Sequence, residues 1–407
     1  MTGNAAMGWS RFSELVSRLR ASSPLKDNRV FGVEVPLRIC PLGAHIDHQA
    51  GVVTGMAVDR SVLMAVEPVC GSVVSIESLD FPGVVEVDVS LPPSPPEGHW
   101  GDYVRAAVGA LQTEYPLGCG FRAVIRGELA GAGLSSSAAI LLAYLSGLTR
   151  IHEIEVGREE LAALVQRAEN NYIGVASGLL DQSVMIHADR GRLTVIDCLD
   201  STVRQIDGME RTDPLTVIVA FSGAARTLAD SGYNDRVSDC VRAARGLLEL
   251  GGLPVTDRPR LRDVQPELFD EQGSHLPDHL RRRATHYFGE MARVAAGVEA
   301  WGNGDLAAFG ELVTASGESS IMNYQGGTPP LIALYELLRD QPGTYGARFS
   351  GGGFGGSCIA LAAPEACDQI VASVRNRYAA IFPDLAALAA YRICVTAGPM
   401  RVFDHEV

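Results

Sequence analysis

A run of glycine and serine that opens directly onto an almost wholly apolar segment constrains this chain more than any other feature. Residues 131–139 read Gly-Ala-Gly-Leu-Ser-Ser-Ser-Ala-Ala, and 138–148 continue mainly with alanine, leucine, isoleucine and tyrosine. A helix apolar on nearly every side belongs inside a large core. Its start, predicted at about Ser137, carries unpaired backbone N–H groups and the positive end of the helix dipole. Glycines just ahead of it let an anion approach those groups closely. Serine hydroxyls there are hard oxygen ligands of the kind Mg²⁺ takes. No Gly-Lys-Ser or Gly-Lys-Thr follows, so this is not a Walker loop. From its own residues the segment is either a phosphate cradle or a serine cap on a buried helix.

The rest of the chain can supply the core that such a helix needs. Its 407 residues allow two or three domains. With 47% apolar and 20% charged residues, the composition is that of a globular protein. A net charge of −14 excludes general binding to nucleic acid. An anionic ligand must then be met by locally gathered cations, helix N-termini or a metal. No apolar run reaches the length of a membrane span, so no membrane partner is expected. Residues 1–20 lack the apolar centre of a signal peptide, and the cytoplasm is the expected location. Trp9, Phe12, Leu15, Val16 and Leu19 recur there with helical spacing. The eight cysteines form no Cys-x-x-Cys pair and read as free thiols rather than a zinc site.

Periodicity predicts strands at 31–37, 52–58, 61–66, 84–89, 122–125, 193–196 and 215–221 in the first half. It predicts helices at 138–148 and 161–171, the second broken by the glycines at 174 and 178. Helices follow at 235–250, 280–303 and 330–339, then strands at 347–350, 357–361 and 391–396. The proline-rich piece at 91–98 reads as a surface loop. The fold class is α+β with two lobes. Division is expected into an N-terminal extension at 1–27, a first domain at 28–208 and a second at 209–407.

Three motifs in one order carry a family resemblance. Gly131-x-Gly133-Leu134-Ser135-Ser136-Ser137-Ala138-Ala139 resembles the second signature of the GHMP kinases, without the proline usual before it. Arg38-Ile39-Cys40-Pro41-Leu42-Gly43-Ala44-His45-Ile46-Asp47-His48 resembles the sugar-binding signature of the galactokinase branch. Ser350-Gly351-Gly352-Gly353-Phe354-Gly355-Gly356 resembles the third signature. The resemblance implies a two-lobed fold: an N-terminal domain like ribosomal protein S5 and a C-terminal ferredoxin-like domain, with the active site between them. It implies ATP as co-substrate and Mg²⁺ as cofactor.

It also implies roles residue by residue. Asp181, in Gly178-Leu179-Leu180-Asp181-Gln182, would accept the proton of the sugar hydroxyl, and Arg38 would stabilise charge on the transferring group. Ser137 and Glu169 would hold Mg²⁺. Gly131, Gly133, Leu134, Ser135, Ser136, Ser137, Ala138, Gly352 and Gly353 would line the ATP phosphates, with Trp100 near the adenine. His45, Asp47, Gly178 and Tyr233 would face the sugar. His45-x-Asp47-His48 by itself offers too few ligands for zinc.

Position 44 bears on the choice of sugar. Galactokinases carry a glutamate there, which binds the C6 hydroxyl of galactose. Here Ala44 takes its place. Two like charges about 4 Å apart cost about 4 kcal/mol at an effective dielectric near 20, so a glutamate would repel a C6 carboxylate and an alanine would not. The runs 38–49, 232–240 and 345–351 also resemble plant-type galacturonokinases. D-Galacturonate phosphorylated at the anomeric hydroxyl is the expected reaction. Arg226 and His48 are the candidate cations for the carboxylate. A galactokinase is the alternative. A non-catalytic sugar and ATP sensor is the remaining one, against which stand the intact serine loop, Arg38 and Asp181.

Overall fold

The computed structural model describes residues 3–22, 29–128, 134–208, 215–224 and 232–406. Helix α1 (Gly3–Ser22) leads into strands β1 (Arg29–Ile39), β2 (Val52–Pro68), β3 (Val73–Ser78) and β4 (Val84–Asp88). Next come α2 (Asp102–Gln112), β5 (Phe121–Gly127), α3 (Ser136–Ile151), α4 (Arg158–Ala168) and α5 (Leu180–His187), then the hairpin β6 (Leu193–Asp197) and β7 (Thr202–Ile206). These strands build one sheet in the order β12-β1-β2-β5-β3-β4, in which β12 (Arg401–Glu406) comes from far along the chain. The β6–β7 hairpin pairs with the first part of β2.

Strand β2 replaces the two strands predicted at 52–58 and 61–66. A register shift between Pro36 and Leu37 lets β2 bend without breaking. Proline has no N–H to give the ladder, so the irregularity falls there. It lies two residues before Arg38.

One face of this sheet is covered by α3, whose Leu141, Leu142, Leu145 and Leu148 are buried. Each such leucine contributes about 2 kcal/mol by leaving water. Helix α1 covers part of the other face, setting Phe12, Leu15, Val16 and Leu19 against Leu63, Ala65 and Val124. The side chain of Trp9, expected on the same stripe, lies outside the described residues.

The second sheet begins at β8 (Thr216–Phe221). A run of helices follows: α6 (Tyr233–Leu250), α7 (Pro266–Gln272), α8 (Asp278–Gly302), α9 (Leu306–Met322) and α10 (Pro329–Arg339). Then come β9 (Thr344–Phe349), β10 (Ser357–Ala362), α11 (Cys367–Ile381), the short α12 (Pro383–Ala386) and β11 (Ala390–Val395). The order β11-β8-β10-β9, antiparallel throughout, is the ferredoxin-like arrangement expected. Alternate residues of β8 and β10 point to opposite faces, as a period of two requires. Ile218, Ala220, Cys358 and Ala360 pack under α10 and α11. Val217, Val219, Ile359 and Leu361 join the same buried cluster as the core of the first sheet. The two sheets therefore share one continuous interior.

Candidate functional site

Where the two sheets meet, a cleft opens. It is lined from the first part of the chain by Arg38, Cys40, Ala44, His45, Asp47, Ser135, Ser137, Glu169, Gly178 and Asp181. From the second part come Tyr233, Arg348, Phe349, Gly351 and Gly352.

Arg38 stands near the end of β1 and Asp181 in the first turn of α5. Nε of Arg38 donates to Oδ1 of Asp181 at 2.7 Å, and Nη2 lies 2.6 Å from the same oxygen. The Ser135 hydroxyl joins the pair, accepting from Arg38 and donating to Oδ2 of Asp181. Ser135, expected on the ATP phosphates, thus has its hydroxyl on this ion pair. It holds a left-handed conformation (φ 58°) ahead of α3. Nη1 of Arg38 is buried with no hydrogen-bond partner among the described residues. A buried unpaired donor is costly, so a ligand oxygen there would be strongly favoured.

Helix α4 ends in a wider π-type turn (Glu169–Ile173), stopped by Gly174 at φ 80°. Such turns often mark functional positions. This one holds the Glu169 carboxylate against the Ser137 hydroxyl at 3.1 Å and the Ser177 hydroxyl at 2.6 Å. Burial pushes the Glu169 carboxyl up to about 7, against those two hydrogen bonds. Asp47 is pushed up to about 6, by burial and then by the charge of Asp181. A group of carboxylates this close is eased by a cation. Ser137 and Glu169 offer hard oxygens, and Mg²⁺ typically binds one or two protein ligands and completes its shell with phosphate and water. Those two residues fit the ion. Among the described residues no three His, Cys, Asp or Glu side chains converge as a metal cage.

The loop after β1 bends sharply, with Gly43 at φ 85° and His45 at φ 61°. Ala44 and His45 are buried there. The His45 ring stacks on Tyr324, centroids 4.3 Å apart and planes 6° from parallel. Burial holds its pKa well below the usual value, and its Nε2 has no partner among the described residues. Gly178 is forced by proximity, since a Cβ there would run into the Asp47 carboxylate and backbone. Tyr233 stays protonated, its phenol raised by burial and by Asp47.

Some expectations need correction. His48 is not a cation. Burial drives it down to about 3; Nδ1 accepts from Gln49 at 3.0 Å, leaving Nε2 to donate to the Tyr324 hydroxyl at 3.2 Å. Leu134 and Ala138 are fully buried and do not line the cleft. Gly353 also stands behind the cleft wall, beside Phe349. Trp100 is not among the residues lining this cleft, and its indole N–H donates to the Pro82 carbonyl at 3.2 Å. Gly131, Gly133 and Arg226 lie outside the described residues. Sequence reasoning missed Arg348, His286, Glu290 and Tyr324. Arg348 sits inside a glycine-flanked stretch that draws attention to the glycines; the other three belong to no motif.

The GHMP kinases N terminal domain matches residues 102–189, and the GHMP kinases C terminal domain matches residues 295–380. The chain belongs to the GHMP kinases. Within that class it is similar to the galacturonokinase of Arabidopsis thaliana, 38% identical over 403 residues that cover 93% of this chain and 95% of that protein. It is also similar to the galactokinase of Chloroflexus aurantiacus, 33% identical over 84% of this chain and 87% of the relative. The Lactococcus lactis galactokinase complexed with galactose superposes with a TM-score of 0.86 at 27% identity, covering 97% of this chain and 99% of that one. Among the described residues no helix is long and apolar enough to cross a membrane.

Proposed function

We propose that this chain is an ATP-dependent sugar-1-kinase whose substrate is D-galacturonate, converted to D-galacturonate 1-phosphate with release of ADP. The observation that carries the reading is Ala44, buried in the wall of a cleft that also holds the Arg38–Asp181 pair. The similarity to a galacturonokinase over nearly the whole chain supports it.

In this reading the sugar rests against Ala44, His45, Asp47, Gly178 and Tyr233, with its anomeric hydroxyl at Asp181. Asp181 takes the hydroxyl proton as the oxygen attacks the γ-phosphorus, and the bond from that phosphorus to the β–γ bridging oxygen breaks. Arg38 holds Asp181 in place, and its free Nη1 meets charge on the transferring group. Ser135 ties both together. The triphosphate lies at the N-terminus of α3 and along the loop at Gly351 and Gly352. Ser137 and Glu169 would hold Mg²⁺, which when bound would offset phosphate charge. The C6 carboxylate faces Ala44, in a cleft whose lining includes, among the described residues, the guanidinium groups of Arg348 and Arg38.

Coupled ADP release with galacturonate, galactose and glucuronate side by side tests the reading. Faster turnover of galactose would replace it with a galactokinase. No multiple-turnover ADP release with any sugar would replace it with a sensor.

A further inference from the structure

Ala44 has no polar side chain to fix it, yet both of its backbone polar groups are held from the second half of the chain. Oε2 of Glu290, on α8 and fully buried, accepts from the N–H of Gly43 at 2.8 Å and of Ala44 at 3.2 Å. Nε2 of His286, one turn earlier, donates to the Ala44 carbonyl at 2.9 Å. That carbonyl can only accept, so Nε2 carries the proton and Nδ1 accepts from the Ser319 hydroxyl at 2.9 Å. Asn323 then donates to Ser319 at 3.1 Å, closing the order of donors. Burial keeps His286 neutral, down to about 4, as this order requires. Glu290 is fixed in turn by Arg293 at 2.6 Å and by the Ser316 hydroxyl at 2.9 Å.

We propose that His286 and Glu290 are positioning residues that set where Ala44 stands and thereby set the discrimination between sugars at C6. This rests on the sugar-kinase reading above, in which Ala44 faces C6. Neither side chain lines the cleft, so neither touches the sugar. Both act through the backbone of residues 43 and 44. Two hydrogen-bonded holds on one residue leave it little freedom to move aside for a differently shaped C6 group. The selectivity attributed to one small side chain is then shared with a helix more than two hundred residues away in sequence.

The test uses the full chain and compares His286→Phe with His286→Gln. Phenylalanine fills the space without the donor, whereas glutamine can carry an N–H to the Ala44 carbonyl. Initial rates with galacturonate and galactose give KM and kcat for each. For His286→Phe we expect the ratio of kcat/KM for the two sugars to fall about tenfold toward one, as an unpaired buried carbonyl and a loosened loop would cause. Most of that loss should appear in KM of the preferred sugar, and His286→Gln should recover most of it. An unchanged ratio in folded His286→Phe, with only Tm lowered, would make the role structural and overturn the proposal. Where His286→Phe gives no folded protein, Ser319→Ala serves: it frees the tautomer and should lower the ratio about threefold, and no change would overturn the proposal. The wild-type sugar panel separates the two ideas. A wild type that prefers galactose refutes the substrate assignment, and the collapse of its own preference in His286→Phe still decides the positioning role.

Discussion

Behind the cleft wall at Ala44, Glu290 spreads its buried charge over Arg293, the Ser316 hydroxyl and the N–H groups of Gly43 and Ala44. At the end proposed for the phosphates, Glu169 is held by the hydroxyls of Ser137 and Ser177, with no cation at ion-pair distance among the described residues. The contrast shows in their protonation. Against burial, which would raise it, Glu290 is held below the usual carboxylate range by the charges of Arg293 and Arg348, while burial lifts Glu169 to about 7. The end proposed for the sugar is finished by the protein itself. The phosphate end is arranged so that a cation would complete it. On the proposed reading, a sugar site fixed by the protein pairs with a phosphate site whose charge balance would come from its ligands.

The largest effect that could break this comparison is at the reacting atoms. Asp181→Asn should reduce kcat by roughly a thousandfold, within the range for a general base, while sugar affinity by calorimetry changes less than about threefold. Near-normal turnover would mean that the proton leaves by another route. Next, Ala44→Glu places a carboxylate in the finished end. It should move the ratio of kcat/KM from galacturonate toward galactose by roughly a hundredfold, and an unmoved preference would show that position 44 does not read C6. Gly178→Ala should raise the sugar KM about tenfold with a smaller change in kcat, because the added Cβ pushes on Asp47. A KM within twofold of wild type would place the sugar elsewhere.

The smallest effect sharpens the other end. Glu169 must lose its proton to bind a metal, so its raised pKa of about 7 sets the pH window. The Mg²⁺ concentration for half-activation should fall about tenfold between pH 6 and pH 8 and then level. Glu169→Gln should abolish that dependence. The same shift makes folding stability fall as pH rises from the unfolded carboxyl's range to about 7, since the unfolded chain releases that proton first. A Tm that rose across this window in wild type relative to Glu169→Gln would contradict the burial of a neutral carboxyl.

Legibility in the sequence follows the same divide. Arg38 and Asp181, 143 residues apart, were paired because the motifs are contiguous runs that resemble a family. The buried helix α3 was plain from its unbroken apolar composition. Helix α9 was not, because Gly310, Gly317 and three serines hide its stripe. The fold explains them. The glycines let β9 come close, where a Cβ on either would press on the backbone of Tyr345 or Ala347. Ser316, Ser319 and Ser320 serve the polar network around His286, Glu290 and Arg348. Those network residues carry no local pattern, since their partners are distant in sequence. The edge strand β12 was likewise invisible, a short run whose role depends on a partner strand far away.

That pairing bears on how the protein is made. Arg401 bonds Glu34 across 367 residues of chain, and β12 covers the open edge of β1 in antiparallel register from Arg29 to Glu34. During synthesis the first sheet, the strand bearing Arg38 included, emerges long before that cover. For the whole of translation between them, β1 offers a bare row of peptide groups to any passing strand. Strand β12 thus acts as a late seal, and a nascent chain stalled short of it would be a candidate for chaperone capture or aggregation.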